Sequence, residues 1–159
     1  MKIQVYLDCD GVLADFDAGF ERLTGTDPRT FEELYGGTAF WARIYKSDNF
    51  FGTLPAMQSG QRLYTAVKHL RPIILTGTPR GDRSVIQKMQ WRDKHYPGVP
   101  MVTCPSRDKR LYCQPGDVLI DDLLKYRELW TEAGGHFIHY QQNPDDVVET
   151  LFNYLETKC

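Results

Sequence analysis

Three short apolar runs, at residues 3–7, 72–75 and 118–120, each stop at residues that the interior of a sheet would not hold. The first ends in Asp8-Cys9-Asp10-Gly11, the second in Thr76-Gly77-Thr78-Pro79 and the third in Asp121-Asp122. Runs this short and this rich in branched residues read as fully buried strands. Helical patterns separate them. Phe16, Phe20 and Leu23 recur at helical spacing before Gly25, which offers a stop. Leu63, Ala66, Val67 and Leu70 share one helical face, and 82–96 reads as an amphipathic helix stopped by Pro97-Gly98. Residues 100–103 read as a further short strand, 123–133 as helix broken by Gly134-Gly135, 136–139 as strand, and 144–155 as a closing helix. Strands alternating with helices imply a Rossmann-like α/β fold of three layers, a mostly parallel sheet with helices on both faces. In such sheets ligands bind outside the carboxyl ends of the strands, so Asp8, Asp10, Thr76, Asp121 and Asp122 should converge on one site.

From 27 to 55 the periodicity weakens while Phe31, Tyr35, Phe40, Trp41, Tyr45, Phe50 and Phe51 accumulate among glycines and charges. This stretch reads as a small helical insertion. A chain of 159 residues supports one full core, so the expectation is one domain over 1–159, with residues about 17–60 forming a small helical cap after the first strand. The net charge of −2 provides no field to gather long nucleic acid or an anionic membrane, which favours a small substrate. Met1 runs directly into the first apolar strand without a leader or a membrane-spanning stretch, so a cytoplasmic protein is expected. Cys9, Cys104, Cys113 and Cys159 form no Cys-x-x-Cys pair, which argues against a zinc site or a disulfide framework. Whether the chain forms a homodimer is left open.

Four carboxylates at one sheet edge repel one another and raise each other's pKa unless a cation or shared protons offset the charge. A hard divalent metal is implied. Magnesium suits carboxylates, a carbonyl and water, and it often completes its shell with substrate phosphate. Aspartates after strands also cap helices and form turns, but one carboxylate suffices for that, and here they come in pairs after two separate strands.

The run Asp8-Cys9-Asp10-Gly11-Val12-Leu13-Ala14-Asp15-Phe16 resembles the first motif of haloacid dehalogenase (HAD) superfamily phosphatases, Asp-x-Asp-Gly-Val/Thr-Leu. Leu75-Thr76-Gly77-Thr78 resembles the second motif, Arg107-Asp108-Lys109 the lysine-bearing third, and Leu119-Ile120-Asp121-Asp122 the acidic fourth. Within the superfamily the chain is most similar to the 5′(3′)-deoxyribonucleotidases, on Val12 to Phe16, Asn49-Phe50-Phe51 before a proline, and Arg-Asp-Lys ahead of the Asp-Asp strand. It departs from them at Gly77, where a serine is usual, and at Leu123, where arginine is common.

The resemblance implies a magnesium-dependent phosphomonoesterase in which Asp8 attacks phosphorus and Asp10 serves as general acid and base. Asp8, the Asp10 carbonyl and Asp121 would bind Mg2+, with Asp122 a ligand through water or an anchor behind them. Thr76, Gly77 and Lys109 would hold the phosphate. Phe16, Trp41 and Phe50 are candidates for stacking on a nucleoside monophosphate base, although packing of the insertion would also account for such rings. His136 and His139, three apart in a strand, face opposite ways and are read as structural. Two alternatives accompany this reading: a phosphatase of polynucleotide ends or of another small metabolite, and a catalytically silent phosphate-binding protein on the same fold.

Overall fold

The runs that end in polar residues are neighbours in one sheet. In the computed structural model, which describes residues 2–159, β1 (Val5–Leu7) lies between β2 (Ile73–Gly77) and β4 (Val118–Asp121). The edges are β3 (Met101–Cys104) and β5 (His136–His139), giving the order β3-β2-β1-β4-β5 with every pairing parallel. The register sets Leu7 beside Ile74 and Ile120, so β1, β2 and β4 end at about the same level.

The side-chain period of two splits the core into unequal halves. Val5, Leu7, Ile74, Val118 and Ile120 face a large cluster shared with α3 (Gln58–Val67), α4 (Asp82–His95) and α6 (Pro144–Glu156). Tyr6, Leu75 and Leu119 face a small one closed by Trp130 of α5 (Arg127–Glu132). This thinner side also carries a 3₁₀ segment, Ser106–Tyr112.

The insertion leaves and re-enters through adjacent backbone. Ala14 and Ala56 form an antiparallel bridge, Asp15 N donates to Pro55 O at 2.8 Å, and Met57 N donates to Leu13 O at 2.8 Å. Between these points lie α1 (Phe16–Thr24), capped by Asp15 and ended by Gly25, and α2 (Pro28–Lys46), interrupted at Gly36. The weak periodicity at 27–55 therefore concealed a long, broken helix. The returning segment is fastened to α4: Trp91 Nε1 donates to Leu54 O at 2.8 Å, and Arg83 donates to the carbonyls of Tyr45, Ser47 and Asp48.

The helix expected over 123–133 is shorter than its pattern. Asp121 Oδ1 accepts the Leu123 N–H at 2.9 Å, holding the chain in a turn, and regular helix begins only at Arg127. A side chain that captures a nearby backbone amide competes with helix in this way.

Candidate active site

The pleat distributes the polar strand ends between the two faces of the sheet. Asp8 and Asp121 share the parity of Tyr6 and Leu119 and meet the thin side, where Lys109 waits in the 3₁₀ segment. Its Nζ donates to Asp8 Oδ1 and to Asp121 Oδ2, both at 2.9 Å, and all three residues are buried. Burial alone would lower the lysine pKa, but the charges and hydrogen bonds of Asp8 and Asp121 more than offset it and hold the ammonium firmly protonated.

Asp122 completes the cluster. Oxygens of Asp8, Asp121 and Asp122 all lie within 4.8 Å of one another. Gly11 makes this approach possible: its φ is +83°, and a Cβ there would collide with the Asp122 carboxylate. His139 Nε2 donates to the Asp122 carbonyl at 2.9 Å, which fixes the backbone behind it, while His136 stacks on Tyr154 at 4.0 Å. Burial, then the charge of Asp8, pushes the Asp122 carboxyl up to about 9, and the same two causes lift Asp121 to about 6 although Lys109 pulls it down. With all three carboxylates ionised, the one ammonium would leave two negative charges unmatched, which is why Asp122 holds its proton when no cation is bound. Asp122 Oδ1 is also buried without a hydrogen-bond partner. These are the features of a divalent cation site with oxygen ligands. Asp122, read from the sequence as a ligand through water or an anchor, brings an oxygen within 4.8 Å of both Asp8 and Asp121, and the two oxygens of Asp121 already accept from Lys109 and Leu123.

Asp10 is separated from that trio. It is held from the opposite face by Lys88 of α4, which the sequence reading missed and which is 2% exposed. Lys88 Nζ donates to Asp10 Oδ2 at 2.7 Å, Thr76 Oγ1 at 2.8 Å and Gly77 O at 2.8 Å, using every proton of the ammonium. Asp10 Oδ1 is left buried and unpartnered. The signal for Lys88 lay in its helix: Ser84, Gln87, Lys88 and Trp91 form the buried stripe of α4, so three of its four inward positions are polar. Thr76, expected to face a phosphate, is 0% exposed and turned toward Lys88, since it shares the parity of Ile74.

A cavity of about 90 Å³ opens on the thin side, lined among others by Asp8, Asp10, Gly77, Ser106, Lys109 and Asp121, with Leu119, Trp130 and Phe137 as an apolar wall. Thr76, Phe16, Trp41 and Phe50 do not line it. Phe50 is 4% exposed, and its ring is spent on edge contacts with Phe16, Phe20 and Phe51. This is a correction to its reading as a base-stacking surface, because a buried ring has no face left to offer. Phe16 is half-buried in the same ring cluster, and Trp41, 38% exposed, leans on Phe40.

Comparison with known proteins agrees with this architecture. No family model matches the sequence, nor does any curated protein. Solved structures do match. A HAD-superfamily hydrolase from Ehrlichia chaffeensis superimposes with a TM-score of 0.58 at 13% identity, over 98% of this chain and 99% of its own. A hydrolase from Streptococcus pneumoniae gives 0.57 at 16% identity, over 96% and 100%. A protein described as a predicted phosphatase from Clostridium acetobutylicum gives 0.57 at 11% identity, over 96% and 99%. At these identities the likeness is one of fold: the chain has the parallel α/β fold of HAD-superfamily hydrolases over nearly its whole length.

Proposed function

We propose that this chain is a magnesium-dependent phosphomonoesterase working through an aspartyl-phosphate on Asp8, with (deoxy)nucleoside monophosphates as its substrates. The observation that carries the chemistry is the Asp8–Lys109–Asp121 bridge, with Asp122 in reach of both acids, at the carboxyl edge of a parallel sheet. Asp8, Asp121, Asp122 and the Asp10 carbonyl are the groups that would hold Mg2+, which supplies charge neutralisation for the phosphoryl oxygens.

The protein's own groups cover the remaining tasks. An Asp8 oxygen attacks phosphorus as the ester P–O bond breaks, and Asp10 Oδ1 gives its proton to the leaving alkoxide. Lys88 holds the other Asp10 oxygen, so the carboxyl keeps one aim throughout. In the second half, Asp10 takes a proton from water, the water oxygen attacks phosphorus, and the bond to Asp8 breaks to release phosphate. Lys109 offsets the charge on Asp8 when that carboxylate returns.

The nucleotide part of the reading rests on the sequence resemblance, and the ring-rich insertion next to the site, with Phe16 and Trp41 still partly open, supports it. Phosphate release from a panel of deoxyribonucleotides, ribonucleotides and sugar phosphates with Mg2+ tests it. Deoxynucleoside monophosphates should lead; equal rates on generic sugar phosphates would remove the nucleotide specificity. Asp8→Asn should fold and lose turnover, and an active Asp8→Asn protein would overturn the mechanism.

A further inference from the structure

A phosphoryl group seated against Asp8 needs a hydroxyl or amide donor from the β2 side of the cavity, and Thr76 does not face it. Its hydroxyl accepts from Lys88 and is wholly buried on the other side of the sheet. The residue whose side chain would point into the cavity is 77, one step along the pleat, and it is a glycine. We propose that Ser106 supplies this missing group, its hydroxyl donating to a phosphoryl oxygen from the place that a side chain on residue 77 would fill.

Three features place it there. First, Gly77 pairs with Cys104 and Thr78 N donates to Cys104 O at 2.8 Å, so the ends of β2 and β3 lie side by side before the chain turns at Pro105. Second, a Cβ built on Gly77 would collide first with Ser106 Oγ and next with Ser106 Cβ. The serine hydroxyl thus occupies the first side-chain position of residue 77, and glycine there is what admits it. Third, Ser106 and Lys109 both belong to the 3₁₀ segment, in which side chains at i and i+3 eclipse, so the hydroxyl and the ammonium face the same cavity. Ser106 is exposed, whereas Lys109 is buried. The hydroxyl is therefore accessible to a ligand entering from solvent, and the ammonium stays with the carboxylates. A hydroxyl can donate one proton to an anionic oxygen without adding charge to a cluster already fixed by Lys109 and the metal ligands.

This inference rests on the phosphatase reading, and the test separates the two. Steady-state hydrolysis of a phosphate monoester and titration with inorganic phosphate, both with Mg2+, are measured for the wild type, Ser106→Ala and the swap Gly77→Ser/Ser106→Gly. Ser106→Ala should lower kcat/KM and weaken phosphate binding by roughly ten- to a hundredfold, as for a lost hydrogen bond to a charged group. Its Tm should match the wild type because the side chain is exposed. The swap returns a hydroxyl to the same place and should recover most of the loss, which a merely structural serine would not. A fully active Ser106→Ala overturns the role of Ser106 and leaves the phosphatase reading intact. So does a swap that melts like the wild type but stays at the Ser106→Ala level. A wild-type protein with neither turnover nor phosphate binding overturns both.

Discussion

Lys88→Met isolates the contribution of the lysine that sequence reading missed. Methionine is close in volume and unbranched, so it fills the channel without opening a large void. The perturbation is therefore the loss of three hydrogen bonds, to Asp10, Thr76 and Gly77 O. Removing one member of a buried ion pair costs about 3–5 kcal/mol, because the other charge stays behind. Asp10 keeps 25% of its side chain exposed, which lets water replace part of the lost bond and places the cost at the lower end. The Thr76 hydroxyl and Gly77 carbonyl add to it, while release of the lysine from its own desolvation subtracts. A net loss of about 3 kcal/mol follows, which for a chain of this size lowers Tm by roughly 6–12 °C. Urea and thermal unfolding without metal measure this. Turnover should drop by about a hundredfold, since Asp10 loses the contact that fixes its aim. A Lys88→Met protein within about 0.5 kcal/mol of the wild type, the range of ordinary surface changes, and with unchanged kcat would refute this account of the Asp10 side of the site.

Two further outcomes follow from the same geometry. Asp122 and Asp121 hold protons more tightly folded, to about 9 and about 6, than the ordinary carboxylate value of about 4 in the unfolded chain. The metal-free fold therefore loses stability as pH rises from about 4 through about 9. Mg2+ should raise Tm more at pH 8 than at pH 5.5, Asp122→Asn should stabilise the metal-free protein at pH 8 and shrink the Mg2+ increment, and a pH-independent increment would contradict the cation site. Asp117 does not line the cavity: buried, it accepts from Gln4 N and Gln114 N, both at 2.9 Å. Asp117→Ala should cost about 2–4 kcal/mol in urea unfolding, from two orphaned amides, and leave KM unchanged; a shifted KM would mean that this end of the sheet communicates with the site.

Most of the sheet was legible because each strand is short, branched and closed by a change of chemistry, as at Leu7–Asp8 and Ile120–Asp121. The acidic cluster followed from parallel topology, which brings Asp8 and Asp121 together although they lie far apart in sequence. What the pattern could not show was which face each side chain takes once a strand ends. Thr76 and Gly77 differ by one residue, yet the pleat sends one to Lys88 and leaves the other beside Ser106. Lys88 was hidden by the reasonable expectation that a helical lysine is solvated, and only three acceptors converging from two other segments make its burial tolerable. Phe50, a stacking candidate that is buried in packing, was obscured for the opposite reason. A small unit without a sheet of its own needs rings for a core, so Phe20, Phe31, Phe40 and Phe50 are consumed in packing.

The bridge between Ala14 and Ala56 makes the insertion a cassette. Its two ends are already stitched together by Asp15 N to Pro55 O and Met57 N to Leu13 O, so the sheet meets the same boundary whatever lies between. Each doubling of the length of such a closed excursion adds only about 0.6 kcal/mol of chain entropy. Asp8, Asp10, Lys88, Lys109, Asp121 and Asp122 all lie outside it. Changes of length or sequence within this one contiguous segment therefore leave in place the backbone that positions Asp8, Asp10 and Asp121.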